Sequence, residues 1–335
     1  MNIIIPMAGR GSRLRPHTLT VPKPLIPVGG KPIVHRLVED IISVCGSSVK
    51  KIGFVIGDFG KEVEEELLEV SASFDAEGFI FHQTEPLGTG HAVRCAEALL
   101  EGPVVIAFAD TLFKANFQIK DEDGILWVKK IDDPENFGVV KLNAASEIIE
   151  FVEKPQTFVS DLAMIGVYYI RRGEDLKSEL DYLVDHAIIK SGEYQLPDAL
   201  RRLTEKGTRF KPGEVQEWLD CGNKIATVET NRKVLTFDAE ANKPLVAQNA
   251  TFINSVVIPP CFIGESVRLE NAVVGPYVSL GNSTVVKDSV VKNSLVQKNS
   301  YLENVVLRDS MIGSNVRFRK HSQDISLGDY CAHDE

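Results

Sequence analysis

Gly9-Arg10-Gly11-Ser12-Arg13-Leu14-Arg15-Pro16-His17-Thr18-Leu19-Thr20-Val21-Pro22-Lys23-Pro24-Leu25-Ile26-Pro27-Val28-Gly29-Gly30-Lys31 is the stretch from which the rest of the chain can be read. Ahead of it, the apolar run Ile3-Ile4-Ile5 predicts a short buried strand. Gly9 and Gly11 then turn the chain where side chains would block close backbone approach. Arg10, Arg13, Arg15, Lys23 and Lys31 follow, and no Asp or Glu occurs from Met1 to Val34, in a protein of formal charge -10. A strand, a glycine turn and concentrated positive charge suit a bound polyphosphate, because backbone N–H groups take its oxygens and cations neutralise it. A basic surface turn would show the same Gly-x-Gly. Pro22-Lys23-Pro24 is more specific: two residues that fix φ and restrict their neighbours hold a lysine on a stiff segment. The stretch is not a P-loop, which needs Gly-Lys-Ser/Thr. It is not a Rossmann fingerprint either, since Leu14 stands where the third glycine would be.

At 335 residues the chain can bury a large core and divide into two domains. Hydrophobic residues at 44% and charged residues at 25% fit a soluble globular protein. The acidic balance argues against nucleic acid as a partner, which needs a basic face, so the basic N-terminal stretch suggests a local site for a small anion. The five cysteines (Cys45, Cys95, Cys221, Cys261, Cys331) are odd in number and form no Cys-x-x-Cys pair, which predicts reduced thiols and a cytoplasmic setting. The N-terminal apolar run is too short for a signal peptide and is broken by Pro6. No run approaches the roughly 20 apolar residues of a membrane span, so no membrane partner is expected.

From Lys31 to Ala109 helical and strand patterns alternate: helix over 31–45, strand over 51–56, helix over 61–71, strand over 78–82, helix over 90–100, and the apolar run 103–109. This predicts an α/β, Rossmann-like domain with a mixed, mostly parallel sheet and helices on both faces. In such sheets ligands sit beyond the carboxyl ends of the strands, and three signals fall there. Ala8, Gly9, Gly11 and Arg13 follow the first strand. Gln83-Thr84-Glu85-Pro86-Leu87-Gly88-Thr89-Gly90-His91-Ala92 follows the strand ending at His82. The Gln83 amide donates and accepts at once, as the N3–H and O4 edge of uracil or thymine requires. Gly88 and Gly90 leave room for a flat base, and Thr89 is placed to cap the next helix, although an ordinary loop would read alike. Asp110 ends the run Val104–Ala109, where a carboxylate must be paired, bound to metal or used as a cap.

From Ile125 strands dominate, over 125–130, 137–142, 148–152 and 163–170. Gly138 could admit a sugar ring. Glu153 can accept from sugar hydroxyls, and Lys154, stiffened by Pro155, can hold a phosphate; an ion pair at a strand end would look the same. Helices are expected over 174–189 and 197–205. In Trp218-Leu219-Asp220-Cys221-Gly222-Asn223, Asp220 alone reads as a helix cap and Cys221 as a packed thiol.

Gly9 to Pro32 resembles the signature of the sugar nucleotidyltransferases, which join a sugar 1-phosphate to a nucleoside triphosphate, and later segments extend the resemblance over most of the chain. Gln83–Ala92 resembles the family's base-binding loop, most closely that of its uridylyl and thymidylyl branches; guanylyltransferases keep a similar Leu-Gly-Thr. The resemblance implies Arg13 and Lys23 on the triphosphate and Gln83, Gly88 and Thr89 on the nucleotide. It implies Gly138, Glu153, Lys154, Gly166 and Tyr168 around the sugar phosphate, with Asp110 and Asp220 as ligands of Mg2+. Ala109 departs from the glycine that usually precedes the first metal aspartate and leaves the carboxylate in place. The expected reaction is an in-line displacement: the sugar 1-phosphate oxygen attacks the α-phosphorus and pyrophosphate leaves. Arg13, Lys23, Asp110 and Lys154 would act by positioning and charge neutralisation. dTTP or UTP with glucose 1-phosphate is the favoured pair. A GTP-dependent mannose-1-phosphate guanylyltransferase and a non-catalytic regulatory paralogue are the alternatives.

Residues 1–242 are thus expected to form the catalytic domain, ending in a linking helix over 223–242. Residues 243–320 change character: helical periodicity fades and Val, Ile, Asn, Ser and Gly dominate. Ala247, Ile263, Leu280, Val296 and Ile312 form one register; Ile253, Leu269, Val286 and Leu302 a second; Ile258, Val274, Val291 and Leu307 a third. The repeat resembles a left-handed hexapeptide β-helix, a triangular prism with Gly264, Gly275, Gly281 and Gly313 at its corners. Acyl transfer by such a prism needs a basic His between coils, and residues 245–318 contain none. Oligomerisation or regulation is the expected role, and a homo-oligomer the expected state. Residues 321–335 form a tail.

Overall fold

The structure, a computed structural model, describes residues 1–9, 11–45, 49–115, 119, 121–190 and 192–321. By contacts the chain forms two units, one of Met1–Ile26 with Lys31–Ala226, the other of Pro27–Gly30 with the chain from Thr227 onward.

The first unit carries a nine-stranded mixed sheet. Its strands are β1 (Asn2–Pro6), β2 (Lys51–Ile56), β3 (Glu77–His82), β4 (Val104–Ala107), β6 (Gly124–Lys130), β7 (Gly138–Leu142), β8 (Ile148–Glu153), β9 (Leu162–Ile170) and β10 (Phe210–Glu214); β5 (Thr111–Lys114) and β11 (Glu217–Asp220) form a separate antiparallel pair. The order is β3-β2-β1-β4-β9-β6-β10-β8-β7. Strand β1 runs parallel to β2 and to β4. Ile3, Ile4 and Ile5 are all fully buried, which is why the run is continuous instead of alternating. Parallel pairing is confined to β3-β2-β1-β4 and to β6 with β10, because β9 enters antiparallel to both β4 and β6 and reverses the sheet. The four parallel strands of this half therefore end on one edge, where the chain continues from β1 into Met7–Gly9, from β3 into Gln83 and from β4 towards Asp110.

Helices α1 (Ile33–Cys45), α2 (Lys61–Ala72), α3 (Thr89–Cys95), α4 (Gly173–Asp185) and α5 (Leu196–Glu205) complete the unit. In α1 the apolar stripe Ile33, Val34, Leu37, Val38 and Ile41 is fully buried. Each such side chain contributes about 1.5–3 kcal/mol on leaving water. The helix expected over 90–100 divides into α3 and a 3-10 turn, Glu97–Leu99.

The second unit is a parallel β-helix of three faces. One face stacks Thr251–Ile253, Arg268–Glu270, Val285–Lys287, Tyr301–Glu303 and Arg317–Arg319; the next begins at Val256–Val257 and the third at Cys261–Ile263. Ile263, Leu269, Val274, Leu280, Val286, Val291, Val296 and Leu302 point inward and form its core. The expected registers hold from the second coil on and slip by one in the first. Val246, Phe252 and Val257 pair with Ile263, Leu269 and Val274, so Ala247, Ile253 and Ile258 lie outside the register. The reason is the coil length. Asn271 bonds Asp288 across 17 residues, whereas Asn293 bonds Asp309 across 16. The longer coils carry Pro259-Pro260 and Pro276-Tyr277 where the shorter carries Asn293-Ser294.

The corners also differ from expectation. The left-handed backbone they need falls on Asn254, Asn271, Asn293, Asn299 and Asn304, among others, and glycine supplies it only at Gly275. These are residues whose short polar side chains tolerate that conformation. Gly264 and Gly281 are small for another reason: a side chain there would strike Asn282 or Lys298 of the next coil.

Helix α6 (Lys224–Glu240) was expected to close the catalytic domain at 242. From Thr227 its contacts are with the β-helix unit. The fully buried Asn231 shows how: its Oδ1 accepts from the Gly29 N–H at 2.9 Å and from Ser279 Oγ at 2.7 Å.

Candidate active site

Gly11 starts the site. Its φ of 59° is left-handed, and a Cβ there would press on Lys23 at 3.1 Å and Thr18 at 3.2 Å. The turn then closes as a 3-10 helix, Ser12–Leu14, with Leu14 buried as its anchor and Arg13 left exposed. Lys23 begins a second 3-10 turn, Lys23–Leu25, set by Pro22 and Pro24 and anchored by the buried Leu25 and Ile26. The lysine is only 9% exposed, and its Nζ reaches Asp110 Oδ2 at 2.9 Å. A charge this deep needs that partner.

Asp110 and Asp220 come from neighbouring segments of one antiparallel pair. Asp220 faces Thr111 across β11 and β5, and the Cys221 N–H donates to the Asp110 carbonyl at 3.0 Å. Burial raises the Asp220 carboxyl above the usual aspartate range. The Gly222 N–H, donating to Oδ1 at 2.8 Å, opposes this; the Asp110 charge adds to it, and Lys23 and Arg13 oppose it. Gly222 has no side chain where a Cβ would meet Asp220 and lie 3.4 Å from the Arg13 guanidinium. Four residues far apart in sequence thus share one charged centre.

Three of them, Arg13, Lys23 and Asp110, border a cavity of about 430 Å3 whose wall also includes Ala8, Gly9, Gly11, Ser12, Gln83, Gly88, Thr89, Phe108, Glu193 and Gly222; Asp220 lies outside that wall and meets it through Gly222. Of the five N-terminal cations, Arg13 and Lys23 line it. Lys31 pairs with Glu39, Arg15 is outside the lining, and Arg10 lies outside the described residues.

The loop after β3 is built differently from the expectation. A Cβ at Gly88 (φ 104°) would strike the Tyr194 carbonyl at 2.6 Å, and one at Gly90 would lie 3.1 Å from it, so both glycines make room for residues 193–196. The Gly90 N–H donates to the Tyr194 carbonyl, and the Tyr194 N–H to that of Leu87. Thr89 opens α3 without capping it; its Oγ1 accepts from the Leu196 N–H at 3.0 Å and caps α5. Gln83 spends its amide nitrogen on the Gly88 carbonyl at 3.0 Å and on His91 Nδ1 at 3.2 Å, so its donor half is already taken.

The expected sugar-phosphate residues gather beside this cavity, and none of them lines it. Gly138 pairs with Glu153 across β7 and β8, and the space of its missing side chain is filled by Met164 and the Glu153 carboxylate. Lys154 is exposed, with φ 46°, and its N–H donates to the Phe137 carbonyl. Gly166 (φ 82°) packs on Phe108 and accepts its N–H at 2.9 Å. Tyr168 is 5% exposed and belongs to the core, edge-on to Phe108 at 6.3 Å; burial, then the charge of Glu153, push its phenol up. Phe108, which lines the cavity, therefore stands between it and Gly166 and Tyr168. Phe108, Glu193 and His91 were missed from sequence. Glu193 had a legible signal in Gly192-Glu193-Tyr194-Gln195-Leu196-Pro197, a glycine turn leading to a proline at a helix start.

The nucleotidyl transferase family model matches residues 2–236. The chain belongs to that family. It is 31% identical over 238 residues to the bifunctional protein GlmU of Methanococcus maripaludis, covering 70% of this chain and 54% of that protein. It is 29% identical over 301 residues to a glucose-1-phosphate thymidylyltransferase of Streptomyces griseus, covering 82% and 81%. The chain thus spans little more than half the length of the first of these relatives. A solved nucleoside-diphosphate-sugar pyrophosphorylase from Vibrio cholerae shares the fold, with a TM-score of 0.59 and 22% identity over 69% of this chain and 99% of that one.

A divalent cation fits the pair of aspartates. Among the described residues no group of three or more His, Cys, Asp or Glu side chains forms a cage. Two hard carboxylates this close together suit such a cation, whose remaining ligands can be water.

Proposed function

We propose that the protein is a sugar-1-phosphate nucleotidyltransferase that uses dTTP or UTP, with glucose 1-phosphate as the acceptor. The observation that carries this reading is the convergence of Arg13, Lys23 and Asp110 on the wall of the cavity that Gln83 lines at another point, with Asp220 within reach of the same charges. The triphosphate lies along Gly9–Arg13, where backbone N–H groups and Arg13 bind its oxygens. Lys23 neutralises charge that develops on the leaving pyrophosphate. Asp110 and Asp220 would hold Mg2+, which would supply further charge neutralisation. Lys154 steers the attacking sugar phosphate, lowering the repulsion between two anions. Gln83 reads the base. No residue needs to form a covalent intermediate.

The domain roles follow: the α/β unit carries transfer and the β-helix carries assembly. Val256, Val273, Val290 and Val306 stack outward on one of its faces and are all exposed, an apolar column suited to a homo-oligomer. The thiols of Cys45, Cys95, Cys221 and Cys261 are not joined in disulfides, which suits a reducing cytoplasm; Cys331 lies outside the described residues. No helix among the described residues is long and apolar enough to cross a membrane.

The test is a panel of dTTP, UTP, CTP, GTP and ATP against glucose, mannose and N-acetylglucosamine 1-phosphates with Mg2+, read by pyrophosphate release. Turnover with dTTP or UTP and glucose 1-phosphate supports the reading. Turnover restricted to GTP and mannose 1-phosphate replaces it with the guanylyltransferase reading, and no turnover with any pair replaces it with a regulatory role.

A further inference from the structure

Gln83 lines the cavity on one side and meets α3 on the other. Its Nε2 lies 3.0 Å from the Gly88 carbonyl oxygen and 3.2 Å from His91 Nδ1. The carbonyl can only accept, so the atom facing it must be the NH2 group; that settles which way the amide points. The second N–H then needs an acceptor, and His91 Nδ1 supplies one if the ring proton sits on Nε2. Cys95 Sγ stands 3.9 Å from the same Nδ1, a second weak donor that suits an unprotonated nitrogen there. Burial, then Arg94, hold His91 below its ordinary range, with Glu85 opposing, so the ring is neutral at pH 7. His91 itself does not line the cavity.

We propose that His91 is a positioning residue for base selection: with Gly88 it consumes both N–H donors of Gln83 and leaves only the carbonyl oxygen Oε1 to meet the base. This rests on the reading of the cavity as a nucleotide site. An acceptor at that point takes a ring N–H, which uracil and thymine carry at N3 and guanine at N1. At that ring position cytosine N3 and adenine N1 are acceptors and would face Oε1 lone pair to lone pair, and their exocyclic amino groups meet Oε1 only if the base shifts along its edge. Discrimination between UTP and CTP, which differ only at that edge, should therefore depend on His91. Without it, one of the two bonds that hold the amide is lost, and the amide can turn its NH2 toward cytosine.

The experiment compares wild type, His91→Phe, which keeps a planar ring without an acceptor, and His91→Gln, which restores an acceptor. Equilibrium binding of UTP and CTP is measured by calorimetry at pH 7.5, so that the result does not depend on turnover. Wild type is expected to prefer UTP. The UTP/CTP affinity ratio should fall about tenfold in His91→Phe, the worth of one hydrogen bond, and recover in His91→Gln. An unchanged ratio in His91→Phe overturns the proposal. So does an equal loss in both variants, which would mean that ring shape and not the acceptor matters, and so does a wild type that binds the two alike. A protein that prefers UTP through His91 but releases no pyrophosphate would leave this inference standing and sink the transferase reading.

Discussion

The cavity and the coil use sequence in opposite ways. At the cavity, Arg13, Lys23, Gln83, Asp110 and Asp220 come from separate loops, and each has contacts that no other residue duplicates. In the coil, Leu280 sits on Ile263 and under Val296, and nearly every inward residue repeats a neighbour 16 or 17 positions away. A repeat shares its stabilisation among like contacts, whereas a site concentrates its chemistry in single atoms. Substitutions at the cavity should therefore remove turnover and spare the fold, and substitutions in the coil should do the reverse.

The sharpest trial of that contrast is Asp110→Asn. The amide keeps an oxygen for Lys23 but loses the charge that faces a cation. Mg2+-dependent pyrophosphate release is expected to fall about 1000-fold, equivalent to about 4 kcal/mol of transition-state stabilisation, with unfolding still cooperative. Turnover within tenfold of wild type would remove Asp110 from the charged centre. On the other side stands Leu280→Ala. Leu280 is fully buried in the coil core. The change should cost about 2–5 kcal/mol in urea unfolding while the turnover of folded protein holds. A loss of turnover without a loss of stability would break the comparison.

Asn231 tests the second unit at a polar point. Asn231→Ala leaves the Gly29 N–H and the Ser279 hydroxyl without their buried acceptor. About 1–3 kcal/mol of stability is expected to go, measured by the same unfolding. Ser279→Ala removes only one partner and should cost less.

How much of this was legible depended on the range of the signal. The strands and helices were readable because burial on a fixed face imposes a period: Ile3–Ile5 and Ile33/Leu37/Ile41 state their own surroundings. The coil was readable for the same reason, and failed only in its first turn, where Pro259-Pro260 lengthen a corner and a step counted at 16 is 17. The charged centre was readable as residue types at strand ends. The roles of Gly88, Gly138 and Thr89 were not. Each answers to a partner distant in sequence: Tyr194 for Gly88, Met164 for Gly138 and Leu196 for Thr89. A glycine shows that something comes close, and only the fold shows what. Helix α6 offered little to read for a related reason. Its seventeen residues bury a polar stripe of Thr227, Thr230 and Asn231, which carries no apolar period to say where it docks.

The smallest expected effect is also the one that ties stability to chemistry. Asp220 has its carboxyl raised above the usual range, first by burial and also by the neighbouring Asp110 charge, against the opposing Gly222 N–H, Lys23 and Arg13. A carboxyl with a folded pKa above its unfolded value binds a proton more readily in the folded state. Stability therefore falls as pH rises from the ordinary aspartate value, about 3.9, to the raised folded value, and the full cost stands above that. Asp220→Asn keeps an oxygen for the Gly222 N–H and deletes the repulsion. Without nucleotide or Mg2+, this variant should melt at a higher temperature than wild type at pH 7. The gap should close as pH drops through the raised value and vanish below the ordinary one. Added Mg2+ should stabilise wild type more than the variant, because only wild type offers two carboxylates. Identical melting temperatures from pH 7 to pH 4 would mean that burying the Asp220 charge beside Asp110 costs the fold nothing.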